Sequence, residues 1–393
     1  MYVHELCGSW FDNPFWSPSF MLRDRADVHK LQASGVRELW IDTGKGRDIE
    51  LPGEAAVAAP PPQAPAAAAP PPFTFAPQPA ASMRDEVARA AKILKKTRDA
   101  VGAMFEEARM GRMASAAAAL PLVDDISASV MRNSGALVSL VRLKQADDYT
   151  YMHSVAVCAM MVMLARQLEL PDQQVRDYGL AGLLHDIGKM AIPIAILNKP
   201  GRLSDEEFLA VKRHPCAGHD MLKQVAGMPA VVLDVCLHHH ERVDGGGYPE
   251  GLGQQELSQA ARMGAICDVY DAITSNRPYK QGWSPTESLR KMAVWAKEGH
   301  FDEKLFAAFV KCIGIYPVGT LVRLKSNRLA VVVDNSKSLL RPTVRVMFSI
   351  SSMVYVAPCT VDLSLPGATD AIVASEEAQK WDIQHLERYW TTE

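Results

Sequence analysis

The sequence lacks the cysteine spacing that a disulfide framework or a zinc knuckle requires. Its seven cysteines are scattered, odd in number and form no CxxC pair. Disulfide-rich secreted domains and zinc-binding modules are recognised by paired cysteines at short spacing. Isolated cysteines are typical of a reducing compartment, so we expect reduced thiols packed as small apolar side chains.

The sequence also lacks an excess of charge, a secretory signal and a long apolar run. The formal net charge is -3 over 393 residues, whereas a nucleic-acid polymer or an anionic membrane would require a basic surface. The N-terminus has neither the basic start nor the apolar run of a secretory signal, and no stretch is apolar enough to span a bilayer. We therefore expect a cytoplasmic protein in which a local site carries the chemistry.

The first 82 residues divide into two segments of different composition. Residues 1–51 mix aromatic with turn-forming residues and predict a small α+β module, with a helix over residues 24–33 and a strand over residues 36–43. Residues 52–82 are rich in alanine and proline, and proline fixes φ and removes a backbone donor. This second segment is predicted to be an extended or disordered linker.

The pattern is helical over residues 83–316, where apolar residues recur at steps of three, four and seven. Over residues 317–393 it changes to the alternation typical of strands, which are predicted around Leu321 and Arg323 and over residues 330–333 and 343–348. The chain then has an apolar stripe that predicts a helix over residues 376–390. The predicted fold is mainly α: a helical bundle with a small N-terminal α+β module and a small C-terminal β appendage, which covers the core or contacts a partner. The helices predicted in the bundle cover residues 85–111, 122–141, 151–168, 172–185, 205–214, 229–240, 258–275, 286–298 and 303–312.

Histidines and aspartates cluster at or near the ends of these predicted helices. Taken singly, each is weak evidence, because a lone helical histidine is more often a core or surface residue. Together, and in order with glycine-rich turns, they indicate a metal centre built by several helices. The residues are His153, His185-Asp186 just before Gly188, His214 ahead of Pro215, His238-His239-His240 ahead of residues 244–247, and Asp268.

The residue types of this cluster indicate which metals and which reaction it suits. Neutral imidazole nitrogens and carboxylate oxygens suit Fe, Mn, Ni or Zn, and a carboxylate can bridge two cations. Asp186, directly after His185, is the predicted bridging ligand. Two divalent metal ions can share a water, lower its pKa and position it for in-line attack on phosphorus, and they neutralise charge on the phosphate oxygens.

Around these residues the sequence resembles the HD-GYP family, a branch of the HD phosphohydrolase superfamily of helical bundles. The resemblance covers residues 149–313. Residues 185–189 read HDIGK and match the HD motif with its following lysine, and residues 239–249 read HHERVDGGGYP and match the HHE and GYP signatures in register. The N-terminal module and linker look like the accessory domain that precedes HD-GYP domains in one subgroup. Residues 197–201, 214–215 and 268–272 match the intervening family pattern, and residues 277–280 match its substrate-contact segment.

The resemblance implies the roles of individual residues. It implies metal ligation by His153, His185, Asp186, His214, His239, His240 and Asp268. Asp186 and Lys189 would be catalytic, with Lys189 on the scissile phosphate as a point charge. Arg277 and Lys280 would hold the phosphates or bases of a cyclic dinucleotide.

The activity implied by the resemblance is hydrolysis of cyclic di-GMP in second-messenger signalling. A metal-bridged hydroxide would open the ring to pGpG, and a second cut would give GMP. The alternatives are another cyclic dinucleotide, a mononucleotide phosphate ester, or a non-catalytic sensor or scaffold that binds a cyclase or a motility protein. The intact ligand set argues against the scaffold, because degenerate modules lose metal residues.

One position departs from the pattern of some family members. They carry a glutamate four residues before the helical histidine, where it helps to hold a third metal, and this sequence has Tyr149. We therefore expect two metals, with Tyr149 shaping the substrate pocket and affecting whether hydrolysis stops at pGpG. His219 and His238 lie beside ligand positions but fall outside the family motif, so we predict that neither binds metal.

Residues 245–249 are predicted to form a tight turn, because glycine permits positive φ and proline stiffens the exit. In this family the loop is associated with partner proteins, which makes a diguanylate cyclase (GGDEF) protein or a motility protein a candidate partner. A purely structural turn is the alternative. The long helix over residues 85–111 and the C-terminal apolar stripe further suggest a homodimer.

Overall fold

The computed structural model of the chain describes residues 2–7, 20–21, 29, 38–41, 73–110, 115–142, 149–197, 199, 201–275, 282–335 and 338–391. The chain forms two compact units, Met1–Pro71 and Pro72–Glu393. In the first unit, the described residues include a three-stranded antiparallel sheet with the central strand β1, Tyr2–Cys7, between β2, Phe20–Met21, and β3, Glu38–Ile41. The strand predicted over residues 36–43 is thus found as β3. Of the helix predicted over residues 24–33, only His29 lies within the described residues, and it is helical.

The second unit is dominated by helices, as the sequence predicted. One of them, α4, Tyr149–Gln167, is the centre of the bundle: every side chain from Met152 to Ala165 is buried, which is what an all-round apolar helix requires. The helices are α1, Met83–Arg109; α2, Leu120–Arg132; α3, Ser134–Val141; α4, Tyr149–Gln167; α5, Asp172–Leu184; α6, Ile194–Leu197; α7, Asp205–Val211; α8, His214–Lys223; α9, Ala230–His238; α10, Gln259–Thr274; α11, Pro285–Lys297; and α12, Glu303–Ile313.

Two of the helices predicted as continuous are interrupted in the structure. The helix predicted over residues 122–141 is interrupted at Asn133, whose extended backbone and side-chain oxygen cap α3 by accepting from the N–H of Gly135 and Ala136 at 3.1 and 3.2 Å. The helix predicted over residues 205–214 ends at Val211, and α8 begins at His214 with Pro215 in its first turn. Both are local capping effects, because Asn is favoured at a helix start and Pro is tolerated there.

A buried ion pair connects α1 to α2. Glu86 is fully buried and accepts hydrogen bonds from the Ser129 hydroxyl at 2.7 Å and from Arg132 Nε and Nη2 at 2.7 and 2.9 Å. The hydrogen bond that Arg132 donates to Glu86 raises the pKa of the Arg132 guanidinium. Because Arg132 is itself largely buried, removing either residue leaves the charge of the other buried and uncompensated.

We predict that Glu86→Ala lowers the free energy of unfolding by about 3 kcal/mol, since it leaves Arg132 without its carboxylate. Urea denaturation followed by circular dichroism measures the change. The matched control is Glu107→Ala, an exposed glutamate on the same helix, which should change stability by less than ~0.5 kcal/mol. Equal losses in the two variants would contradict a specific role for the buried pair.

The C-terminal region forms a five-stranded antiparallel sheet of β4, Leu321–Leu324; β5, Arg328–Asp334; β6, Thr343–Ser349; β7, Val354–Asp362; and β8, Ile372–Ser375. The order of the strands in the sheet is β7-β6-β5-β4-β8. The last two strands along the chain, β7 and β8, were not predicted from the sequence. Because β7 is exposed along most of its length, burial imposes no alternation of apolar and polar residues on it. The sheet packs on Met83, Val87 and Ala136 of the bundle, so it covers one end of the helical core.

The helix predicted over residues 376–390 is wrong. This segment forms a 3-10 turn, Ala378–Trp381, and a short helix α13, Arg388–Thr391, because Asp382 and His385 between them adopt left-handed backbone angles with φ of 51° and 55°. Its apolar side chains, including Ile383 and Trp390, pack in the same cluster as the sheet. The stripe therefore reflects tertiary packing rather than helical periodicity.

Residues 73–82, the end of the predicted linker, have no regular structure but pack on the helical unit. The Arg176 guanidinium lies 4.1 Å from the centre of the Phe73 ring, and the Phe75 N–H donates to Asp172 at 2.9 Å. This part of the linker is docked on the helical unit.

Among the described helices, none is long and apolar enough to cross a membrane.

Candidate metal centre

The candidate centre lies where the end of α5 meets the start of α8. His185 caps α5, Asp186 follows it, and a 3-10 turn over Ile187–Ala191 then runs against α8. A Cβ atom at Gly188 would lie 1.9 Å from the His214 carbonyl oxygen and 2.4 Å from the Gly218 nitrogen. Only glycine allows this contact, which brings the His185-Asp186 pair next to His214.

All seven predicted ligands come together, in two groups. Within each group, one candidate ligand atom per residue lies within 4.8 Å of the others. His153 is contributed by α4 and Asp268 by α10, while His239 caps the end of α9 and His240 follows it. The first group is Asp186, His214, His239 and His240, and the second is His153, His185 and Asp268.

Asp186 faces both groups at once, with a different oxygen toward each. Its Oδ1 lies 3.2 Å from His214 Nε2 and 3.7 Å from His239 Nε2. Its Oδ2 lies 3.4 Å from the Nε2 atoms of both His153 and His185. This is the orientation that a carboxylate bridging two cations requires. Asp268 is similarly placed, with Oδ1 3.0 Å from His153 Nε2 and Oδ2 3.7 Å from His240 Nδ1.

Hydrogen bonds to the backbone set the tautomers of three histidines. The Nδ1 atoms of His185, His214 and His239 lie 2.8, 2.8 and 3.0 Å from the carbonyl oxygens of Gly182, Val211 and Cys236. A carbonyl accepts only, so each Nδ1 carries the proton and each Nε2 turns a lone pair toward the centre. Such outer hydrogen bonds are characteristic of metal-binding histidines.

The donor set fits a divalent cation. The Nε2 atoms of His214 and His239 lie 3.2 Å apart, and two lone pairs facing each other at this distance are satisfied by a shared cation. His185 Nε2 and Asp186 Oδ1 are buried without a hydrogen-bond partner among the described residues, which is rare in folded proteins. Imidazole and carboxylate donors together suit Fe, Mn, Ni or Zn.

The charge balance of the centre favours cations as well. Burial would lower the pKa of His153, but its hydrogen bonds to Asp186, Asp268 and Asp271 outweigh burial and raise the pKa to about 10. Burial and the neighbouring histidines hold the pKa of His239 well below its usual range. Without a metal, His153 therefore keeps a proton between these carboxylates while His239 stays neutral, and a divalent cation would take the place of that proton.

Of the predicted substrate contacts, the structure places only Lys189. Its ammonium contacts Asp186 Oδ2, and its side chain is 25% exposed while that of Asp186 is 1% exposed. Arg277 and Lys280 lie outside the described residues, and so does the side chain of Tyr149. His219 and His238 belong to neither ligand group; His238 instead pairs with Asp234 at 2.8 Å.

Glu241 also shapes the centre, although its place in the sequence did not indicate this role. Its buried carboxylate accepts from the N–H groups of Glu250 and Gly251 at 2.7 and 2.9 Å. A Cβ atom at Gly247 would lie 2.4 Å from Glu241 Cα, so the loop closes tightly on this residue. The turn thereby brings the Tyr248 ring onto the His240 ring, with centroids 4.7 Å apart and planes at 27°.

Asp271 was missed as well, although its spacing is a usable signal. It lies three residues after Asp268 on α10, so both carboxylates share one helix face. Asp271 Oδ2 accepts from His153 Nδ1 at 2.7 Å, and its Oδ1 accepts from the Ser275 hydroxyl at 3.2 Å. This carboxylate orients His153 so that Nε2 points into the centre, as carboxylates commonly do behind metal-bound histidines.

We predict that Asp271→Asn weakens metal binding by about tenfold to hundredfold, because the neutral amide no longer orients and polarises His153. Dialysis against graded chelator concentrations, followed by elemental analysis, measures the retained metal. Ser275→Ala is the matched control, since it removes only the weaker hydrogen bond to the other oxygen of Asp271. Metal retention equal to that of the unmodified protein in Asp271→Asn would contradict the orienting role.

Two protein families match this chain. The family described as HD domain matches residues 132–305, and a domain of unknown function, DUF3391, matches residues 1–119. A Pseudomonas aeruginosa protein named cyclic di-GMP phosphodiesterase PA4108 is 55% identical over 394 residues, covering 100% of this chain and 93% of that protein.

Two further relatives match a smaller part of the chain. The cyclic di-GMP phosphodiesterase response regulator RpfG of Xanthomonas campestris is 38% identical over 157 residues, covering 38% of this chain and 39% of that protein. The 3'3'-cGAMP-specific phosphodiesterase 1 of Vibrio cholerae is 37% identical over 165 residues, covering 42% of this chain and 38% of that protein.

Proposed function

Because this chain belongs to the HD-GYP family of HD-domain proteins, we propose that it is a metal-dependent phosphodiesterase that hydrolyses cyclic di-GMP. The substrate is supported by the relative that matches the whole chain at 55% identity and is named for this reaction. The reaction type is supported by the ligand groups around Asp186, which suit divalent cations and hence attack on a phosphodiester.

The observation that carries the proposal is the orientation of Asp186 between the two ligand groups. Its two oxygens face His214 on one side and His153 on the other, at 3.2 and 3.4 Å. We propose that Asp186 contributes to the binding of two divalent cations, with identities among Fe, Mn, Ni and Zn. When bound, these cations would supply an activated water and positive charge for the phosphate oxygens.

The chain's own residues would then hold the substrate against this centre. Lys189 is partly exposed beside the buried Asp186, so a substrate phosphate can reach its ammonium, and we propose that it binds the scissile phosphate. Contacts of Arg277 and Lys280 with the phosphates or bases, and of Tyr149 with the pocket, remain predictions. It also remains a prediction that Tyr149 prevents the binding of a third metal and affects how far hydrolysis proceeds. We propose that the product is pGpG, and that a second cut gives GMP.

A second substrate has some support. The Vibrio cholerae relative named as specific for 3'3'-cGAMP is 37% identical over 165 residues, nearly the identity of the Xanthomonas relative. We therefore keep another cyclic dinucleotide as the alternative substrate. A binding-only scaffold is less well supported, because all seven ligand positions carry metal-binding side chains.

The test is turnover by the purified full chain loaded with Mn or Fe. It is incubated with cyclic di-GMP and, separately, with 3'3'-cGAMP, and the products are separated by chromatography. We expect pGpG or GMP from cyclic di-GMP, and no product from protein stripped of metal by a chelator. Faster cleavage of 3'3'-cGAMP would favour the alternative, and intact nucleotides with metal confirmed in the protein would leave a binding role.

The remaining assignments are proposals of the same kind. We propose a cytoplasmic protein with an accessory module over residues 1–51, a linker over residues 52–82, a catalytic domain over residues 83–316 and a β appendage over residues 317–393. We also propose, from the sequence and its family resemblance, that the chain forms a homodimer and that the loop at residues 245–249 contacts a diguanylate cyclase or a motility protein.

A further inference from the structure

Lys212 lies beside the candidate metal centre, between two aromatic rings. It follows the last residue of α7, and its Nζ is 4.9 Å from the centroid of the Tyr248 ring and 5.1 Å from that of Phe208. The Tyr248 ring in turn stacks on His240, a member of the first ligand group. One aromatic ring therefore separates this ammonium from the metal centre.

The ammonium of Lys212 has no ion-pair partner among the described residues. Lys189 contacts Asp186, and Lys199 pairs with Glu207 at 2.6 Å, whereas Lys212 forms no ion pair with any residue that the structure describes. The two rings hold the ammonium by cation–π attraction, which orients a positive charge without neutralising it. A cation that is held in place but left unneutralised is suited to bind an anion.

A cyclic dinucleotide provides such an anion in addition to the one that is cleaved. It carries two phosphodiester groups, and when one lies at the metal centre the other can bind a cationic side chain nearby. We propose that Lys212, held by Tyr248 and Phe208, binds this second, uncleaved phosphate. This inference rests on the proposed function and adds to it a residue that selects two-phosphate substrates over simple phosphodiesters.

The test compares two substrates with the Mn-loaded protein. Lys212→Ala should raise KM for cyclic di-GMP by about tenfold or more, since a charge-assisted hydrogen bond to phosphate is lost. For bis(p-nitrophenyl) phosphate, which has one phosphodiester and no second phosphate, the loss in kcat/KM should be at least fivefold smaller. Lys212→Arg should recover part of the affinity, and Lys223→Ala, an exposed lysine on α8, serves as the control.

Other outcomes separate this inference from the proposed function. Parallel losses on both substrates would mean that Lys212 acts by supporting Tyr248 and His240, and they would overturn the phosphate contact. No change on cyclic di-GMP would overturn it as well. If the unmodified protein binds cyclic di-GMP without cleaving it, the proposed activity fails, and equilibrium binding to Lys212→Ala then tests the contact. If it neither binds nor cleaves the nucleotide, both fail.

Discussion

Asp186→Asn is expected to lower the turnover of cyclic di-GMP by about 1,000-fold or more and to remove at least one metal ion per chain. The reason is geometric, because each carboxylate oxygen of Asp186 faces a different ligand group. An asparagine keeps one oxygen and replaces the other with an NH2 group, which donates hydrogen bonds and does not bind cations. The expected loss corresponds to about 4 kcal/mol of transition-state stabilisation.

Kinetics with saturating Mn and elemental analysis of the same sample measure the two effects together. The matched control is Asp205→Asn, an exposed aspartate in the first turn of α7, which should leave turnover and metal content within about twofold. Full metal content together with full activity in Asp186→Asn would refute the bridging position. Full metal content without activity would instead assign Asp186 to the reaction alone.

The residues of the centre could be found from the sequence, but their grouping could not. The motif residues His185, Asp186, His239 and His240 stand next to glycine-rich turns, and these turns place ligands at helix ends. Which histidine shares a group with which aspartate depends on how α4, α5, α8, α9 and α10 pack. That packing is a tertiary property without a local signal. Asp271 is different, because its spacing from Asp268 did carry a signal.

The fold shows the same division between local and tertiary information. The strong apolar periodicity of α1 predicted residues 85–111, and the helix spans Met83–Arg109. Where the predicted helices were wrong, a single residue was responsible. Asn133 caps a new helix within the predicted span 122–141, and Asp382 adopts a left-handed backbone angle that interrupts the predicted span 376–390. The apolar side chains of residues 376–390 pack with the sheet. Their spacing matched a helix because a helix and this irregular segment both bury one side of the chain.

Lys189→Met is expected to lower kcat for cyclic di-GMP by roughly 100- to 1,000-fold while the metals are retained. The substitution keeps the length of the side chain and removes the positive charge next to Asp186. A charge placed where negative charge develops on a phosphate contributes about 3–4 kcal/mol to catalysis in a buried site. Kinetics at saturating metal measure the effect, and KM should change less than kcat, because the charge acts mainly in the transition state.

Metal content distinguishes this role from a structural one. In the structure the Lys189 ammonium contacts Asp186, so it competes with a cation for the same carboxylate, and its removal should not weaken metal binding. Metal retention in Lys189→Met should therefore equal or exceed that of the unmodified protein. Loss of metal together with activity would mean that Lys189 holds Asp186 in place. Lys189→Arg should recover little activity, because a planar guanidinium does not reproduce a compact ammonium.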